Sequence, residues 1–180
     1  MFTDENLYEH FWNGEKIAAD ELVHRHGDIL VLFLNSYVKD IHEAEDLMIE
    51  AFALMFVKRR PVSEDGSFRA YLYKTARRLA GKAIKKHRIH IGLEELSFEL
   101  PGEALAETSL FENERKKQLY EAMEELKPEN QEALYLVYLE DMSYRDTAEV
   151  MGRSESQIKN LVHRGKKSLK EILEKNGFEY

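Results

Sequence analysis

The chain of 180 residues has no cysteine, only three prolines, nine glycines and a single tryptophan. The missing cysteine removes disulfides, thiolate metal sites and cysteine nucleophiles together, and it fits a reducing compartment. The scarcity of proline and glycine leaves long stretches in which nothing interrupts a helix. No apolar run reaches the ~18–20 residues that a membrane span needs, so stable membrane insertion is not expected. The start, MFTDENLYEH, is acidic and has neither the basic nor the apolar segment of a signal peptide. A cytoplasmic location is the expectation. Apolar residues make up 43% of the chain, enough for a core and too many for wholesale disorder.

The net charge of −8 argues by itself against a nucleic-acid partner, but its distribution does not. Met1 to Met55 holds 3 basic and 12 acidic residues, a net of −9. Phe56 to His90 holds 11 basic and 2 acidic, a net of +9. Ile91 to Glu114 holds 7 acidic and no basic residues, and Met151 to Asn176 holds 7 basic and 3 acidic. Two basic blocks lie in an acidic chain, and local potential governs contact with phosphates.

The apolar spacing predicts an all-α fold of two small helical domains, 1–90 and 115–180, joined by an acidic linker over 91–114. Helices are expected from Leu7 to Trp12, from Glu15 to about Tyr37 (Ala18, Leu22, Val23, Ile29, Leu30, Phe33 and Leu34 inward), and from about His42 to Lys58. Arg59 to Ser67, reading RRPVSEDGS, is a loop rich in turn and cap residues. From Phe68 to about Arg88 the pattern buries Phe68, Leu72, Thr75, Ala76, Leu79 and Ala83. It leaves Arg69, Lys74, Arg77, Arg78, Lys82, Lys85 and Arg88 on the other side, with Tyr71 and Tyr73 among them. Cations interleaved with aromatics suit a single nucleic-acid strand, since charge follows phosphates and rings stack on bases. The plainer reading is a solvated basic helix with extended side chains.

Further helices are expected from Arg115 to Leu126 and from Pro128 to just before Asp141, the proline at a first-turn position. The last segment reads MSYRDTAEVMGRSESQIKNLVHRGKKSLKEIL from Met142. Ser143 and Ser154 each stand where a hydroxyl caps a helix, with Asp146 and Gln157 three residues on. Gly152 permits the left-handed turn between them. Helix, tight turn and second helix form a helix-turn-helix. Ile158, Leu161, Val162, Leu169, Ile172 and Leu173 recur on one side. Ser156, Gln157, Lys159, Asn160, His163, Arg164, Lys166 and Lys167 are left to face a DNA groove. Asn160 and Arg164 suit base edges, whereas Lys166 and Lys167 suit phosphates.

No catalytic or metal constellation emerges. His42-Glu43 begins like a metalloprotease helix, but Asp46 stands where the second histidine belongs. His24 and His26 diverge on a helix. His87 and His90 share a face with no carboxylate near in sequence. The residues therefore predict binding rather than catalysis, with no cofactor. An alternative is a one-component helix-turn-helix regulator with an N-terminal sensing domain, but such a domain has no use for the basic, aromatic stretch Phe56 to His90.

The order of these parts resembles that of the extracytoplasmic-function (ECF) type of bacterial RNA polymerase sigma factor. GEKIAADELVHRHGDIL is similar to the family's opening helices and EAEDLMIEAF to its polymerase-binding segment. GSFRAYLYKTARRLA is similar to its −10 helix, commonly written FRAWLYRIARNLA, and the stretch from LKPENQEALYLVYLEDMSYRDTAEVMGRSE onward resembles its C-terminal domain.

The resemblance implies a protein that binds core RNA polymerase and directs initiation at promoter DNA, contacted as duplex at −35 and as a single strand at −10. It implies an anti-sigma factor as a further partner. Glu43, Asp46, Leu47 and Glu50 would meet polymerase. Arg59, Arg60, Ser67, Arg69, Tyr71, Lys74, Arg77, Arg78 and Lys85 would meet the melted −10 strand. The helix-turn-helix residues named above would meet the −35 duplex, and the linker would run near the RNA exit path. This chain departs from the usual pattern at Ile49 (glutamine), Tyr71 (tryptophan), Arg78 (asparagine), Lys82 (aspartate) and Leu161 (arginine). Its preferred promoter is therefore expected to differ from the family norm.

Overall fold

The computed structural model describes residues 2–58, 67–91 and 114–178, and within them the chain is helical with no strand. It divides into two compact units, Met1–Pro101 and Gly102–Tyr180. The expected loop (Ser67 excepted), and with it Arg59 and Arg60, lies outside the described residues, as do 92–113 of the expected linker.

In the first unit α2 (Ile17–Val38) packs against α1 (Asp4–Trp12), α3 (Ile41–Val57) and α4 (Phe68–Ile91). Neighbours on several sides explain why its burial exceeds a single stripe. Ala18, Leu22, Leu30, Phe33 and Leu34 are buried as the spacing predicts. Val31, Leu32, His26 and Asn35 are buried as well, while Val23 and Ile29 are only half-buried. The chain leaves α2 through Lys39, in the left-handed conformation at φ 59°. Asp40 then caps α3 by accepting from the Glu43 N–H at 3.0 Å.

An aromatic core fixes α4. Tyr8, Phe33, Phe68 and Tyr73 are fully buried. Tyr73 meets Phe33 edge-on with ring centres 5.0 Å apart, and Tyr8 lies 5.4 Å from Phe68. Tyr73 was expected among the charged side chains; it belongs instead to the core, at the position where α4 crosses α2. The Tyr8 hydroxyl donates to the Met55 carbonyl at 3.0 Å, which supplies the partner that a buried phenol needs.

In the second unit α6 (Pro128–Leu134), α7 (Tyr144–Met151) and α5 (Glu114–Glu124) each pack on the long α8 (Glu155–Lys175). Pro128 stands in the first turn of α6. The helix expected to continue to Asp141 widens after Leu134 into a π-helical turn, Tyr135–Leu139. There Glu140 N–H reaches the Tyr135 carbonyl at 3.1 Å, and the segment closes with Asp141 at φ 49°. The wider turn keeps Tyr135 and Leu136 buried and puts Tyr138 outside, 53% exposed. The α7–α8 turn follows the sequence closely. Ser143 accepts from Asp146 N–H at 3.0 Å, and Gly152 is left-handed at φ 63°. Ser154 and Gln157 exchange both hydrogen bonds of a capping box, a device that contributes about 1 kcal/mol to a helix start.

Candidate polymerase and nucleic-acid interfaces

On α3 every exposed residue falls on one stripe: His42, Glu45, Asp46, Ile49, Glu50, Ala53, Leu54 and Val57. Its first half is acidic and its second half apolar, with Ile49 61% and Val57 80% exposed. Asp46 and Glu50 therefore stand free on this face, as expected. Leu47 does not: it is buried in the core, because it lies on the opposite side of the helix with Ala44 and Ala51. Glu43 is also turned away, toward α4, where its carboxylate lies 3.2 Å from His87 Nε2. This partner of His87 is 44 positions away in sequence, and so invisible to a local search. The apolar half of the stripe was missed, although Ile49 in place of a polar residue was the available signal.

On α4 the stripe Tyr71, Lys74, Arg78, Lys82 and Lys85 runs along the side opposite the aromatic core. Tyr71 is half-buried and the four cations are exposed. Arg77 is half-buried at the margin. Two expected strand contacts are occupied otherwise. Ser67 Oγ caps the helix by accepting from Ala70 N–H at 3.0 Å. Arg69 lies 3.5 Å from the Asp4 carboxylate, which also meets Arg25 at 3.3 Å and His26 Nε2 at 3.0 Å. Burial of Asp4 would raise its pKa, but the His26 hydrogen bond and charge, with Arg69 and Arg25, outweigh this and hold it below the ordinary value.

On α8 all eight expected duplex contacts, Ser156, Gln157, Lys159, Asn160, His163, Arg164, Lys166 and Lys167, are exposed. Leu161 and Gly165 are buried instead. A Cβ on Gly165 would stand 3.1 Å from Leu134 side-chain atoms and 3.3 Å from the Asn130 carbonyl, so this glycine lets α6 and α8 approach closely. The Leu161 departure thus concerns packing, not the exposed face. Two tyrosines from outside α8 were missed. Lys159 Nζ lies 6.0 Å from the centre of the Tyr144 ring, and Lys166 Nζ 5.2 Å from that of Tyr138. Both tyrosines precede α8 by many residues, so only the fold brings them there. Beside the recognition face, a cleft of about 490 Å³ is lined in part by Lys127, Glu129, Arg164 and Lys167. No helix among the described residues is long and apolar enough to cross a membrane.

Known proteins share this order of helical regions. The family pattern of sigma-70 region 2 matches residues 22–89, and that of sigma-70 region 4 matches residues 116–169. The chain is 28% identical over 165 residues to the ECF RNA polymerase sigma factor SigM of Bacillus subtilis, a match covering 87% of this chain and 95% of SigM. It is 29% identical over 170 residues to the ECF sigma factor BldN of Streptomyces coelicolor, covering 93% of this chain and 64% of BldN. Its fold is similar to that of the sigma factor RpoE from Bartonella quintana, solved with the anti-sigma factor NepR. That match has a TM-score of 0.68 and 20% identity, and covers 84% of this chain and 96% of RpoE. Its fold is also similar to that of CnrH, solved with the cytosolic domain of CnrY. Here the TM-score is 0.65 with 19% identity, covering 95% of this chain and 97% of CnrH. With regions 2 and 4 in order and α3, α4 and α8 each presenting one coherent face, the chain belongs to the ECF-type RNA polymerase sigma factors and acts in transcription initiation.

Proposed function

We propose that the three faces divide the work of a sigma factor. The α3 stripe, with Asp46, Ile49, Glu50, Leu54 and Val57, docks core RNA polymerase. Charged groups steer the encounter and set its register, while the exposed apolar side chains supply area to bury. The α4 stripe of Tyr71, Lys74, Arg78, Lys82 and Lys85, with Arg77 at its edge, holds the opened −10 strand. Extruding a base costs a few kcal/mol, which stacking and phosphate contacts on this face offset. Asn160 and Arg164 of α8 read base edges at −35, and Lys159, His163, Lys166 and Lys167 hold the flanking backbone. Ser156 and Gln157 stand at the end of α8 that enters the groove.

The domains are 1–90 and 115–180, joined by the acidic segment 91–114. Mounting two modest DNA binders on one polymerase raises the effective concentration of each at its element, which suits a net-acidic chain. The chemistry of RNA synthesis belongs to polymerase, and this chain contributes binding alone. The protein works in the cytoplasm. An anti-sigma factor is its further partner, as RpoE was solved with NepR.

The observation that carries this reading is the separation of one acidic-apolar face from two basic ones, each on its own helix. Glu50→Lys should weaken core binding and spare binding of isolated −35 duplex. Arg164→Ala should do the reverse. Equal loss of both activities in either variant would show that the faces are not separate.

A further inference from the structure

Helix α1 lies outside the matched region 2, which begins at residue 22, and it carries none of the three faces. Its contacts nevertheless converge on the start of α4. An isolated helix start leaves its first N–H groups unpaired. Here Phe68 N–H donates to Glu5 Oε1 at 3.1 Å, Ala70 N–H to Ser67 Oγ at 3.0 Å and Tyr71 N–H to the Ser67 carbonyl at 3.2 Å. The Glu5 bond spans 63 positions of sequence. A carboxylate at this end also lies favourably against the helix dipole. Its neighbour Asp4, with a side chain 13% exposed, ties Arg69 of α4 to Arg25 and His26 of α2. Tyr8, one turn further along, fixes the last turn of α3 through Met55 and packs on Phe68. Three side chains of α1 thus meet the first turn of α4 or the helix end beside it, and Arg69 is held against α1.

We infer that Glu5, supported by Asp4, is a positioning residue for strand binding: it fixes the first turn of α4 so that Tyr71, Lys74 and Arg78 line up along the opened −10 strand. This rests on the reading of α4 as the strand-binding face. A helix free to rotate or fray at its first turn would displace Tyr71 first, because Tyr71 is the stripe residue nearest the start.

The test uses the full chain with core polymerase and a promoter selected from a randomised library by the unmodified holoenzyme. Three quantities are measured: affinity for core, affinity of the holoenzyme for a single-stranded oligonucleotide carrying that promoter's −10 segment, and the thermal midpoint. Glu5→Ala should lower strand affinity about tenfold, the scale of one lost charge-assisted hydrogen bond, with core affinity unchanged. Glu5→Gln keeps an acceptor oxygen and should retain most strand affinity. Arg78→Ala, on the face itself, serves as the reference. If Arg78→Ala weakens strand binding and Glu5→Ala does not, the inference falls and the reading of α4 stands. If neither weakens it, both fall. Parallel loss of core and strand affinity in Glu5→Ala, or a Glu5→Gln variant as weak as Glu5→Ala, would also overturn it, since α1 would then support the fold or the charge balance and not the aim of α4.

Discussion

Helices α4 and α8 both present basic faces on an acidic chain, yet they are held in place by different means. Helix α8 is organised from close by: its cap, its capping box and the glycine turn before it all lie within a few residues of its start. Helix α4 has a local cap in Ser67 but is tied down from afar as well. Its first N–H is satisfied by Glu5, its second residue is paired with Asp4, and its core aromatic Tyr73 rests on Phe33 of α2. The start of α8 thus follows from local sequence, and α6 and α7 pack on the helix beyond it. Helix α4 packs against three other helices, α1, α2 and α3, so on the proposed reading its aim should be alterable without touching its exposed face.

That difference explains what the sequence revealed. Ser143, Gly152, Ser154 and the exposed set of α8 were legible because caps, turns and 3.6-residue spacing are local signals. Tyr73 was assigned to the wrong side because an aromatic beside cations reads the same whether it stacks on a base or on another helix. The resemblance puts Leu47 on the polymerase face, but its spacing with Ala44 and Ala51 puts it on the buried side of α3. The pairings of Glu43 with His87 and of Asp4 with Arg69 span long separations and leave no local trace. Nothing in the composition of Tyr135–Leu139 announces a π-helical turn.

Substitutions can sharpen the contrast, beginning with the largest effect. Tyr73→Ala should cost about 3–5 kcal/mol of stability in chemical denaturation, as for a large aromatic removed from a packed core. Tyr71→Ala, two residues away and half-buried, should cost much less stability than Tyr73→Ala and weaken −10 strand binding by about 1–3 kcal/mol. Equal stability losses would erase the distinction between the two sides of α4. Gly165→Val should destabilise the second unit by about 1–3 kcal/mol, because its side chain must displace Leu134 or the Asn130 carbonyl in a packed interface. A neutral result would mean that α6 and α8 are not tightly joined there.

Acid provides a third comparison. Asp4 has a depressed pKa in the folded chain, so the stability it contributes is present above its unfolded value and is lost as pH falls through the folded value. Asp4→Asn should therefore lower stability at neutral pH and flatten the acid dependence of unfolding below the ordinary aspartate pKa of 3.8. An unchanged acid profile would show that the Asp4 cluster does not secure α4. The smallest effect belongs to Lys166, which stands exposed over Tyr138. Lys166→Ala should cost at most about 1 kcal/mol of stability and reduce the slope of log affinity against log salt for −35 duplex by about 1.

Whether this chain gives polymerase its promoter address through α4 and α8 can be read from the RNA 5′ ends that purified core polymerase makes on a promoter library with and without the chain. A new set of starts should appear only with the chain, share one −10 and one −35 sequence, and disappear with Arg78→Ala or Arg164→Ala. Starts identical in the two reactions, across cores and libraries, would contradict it.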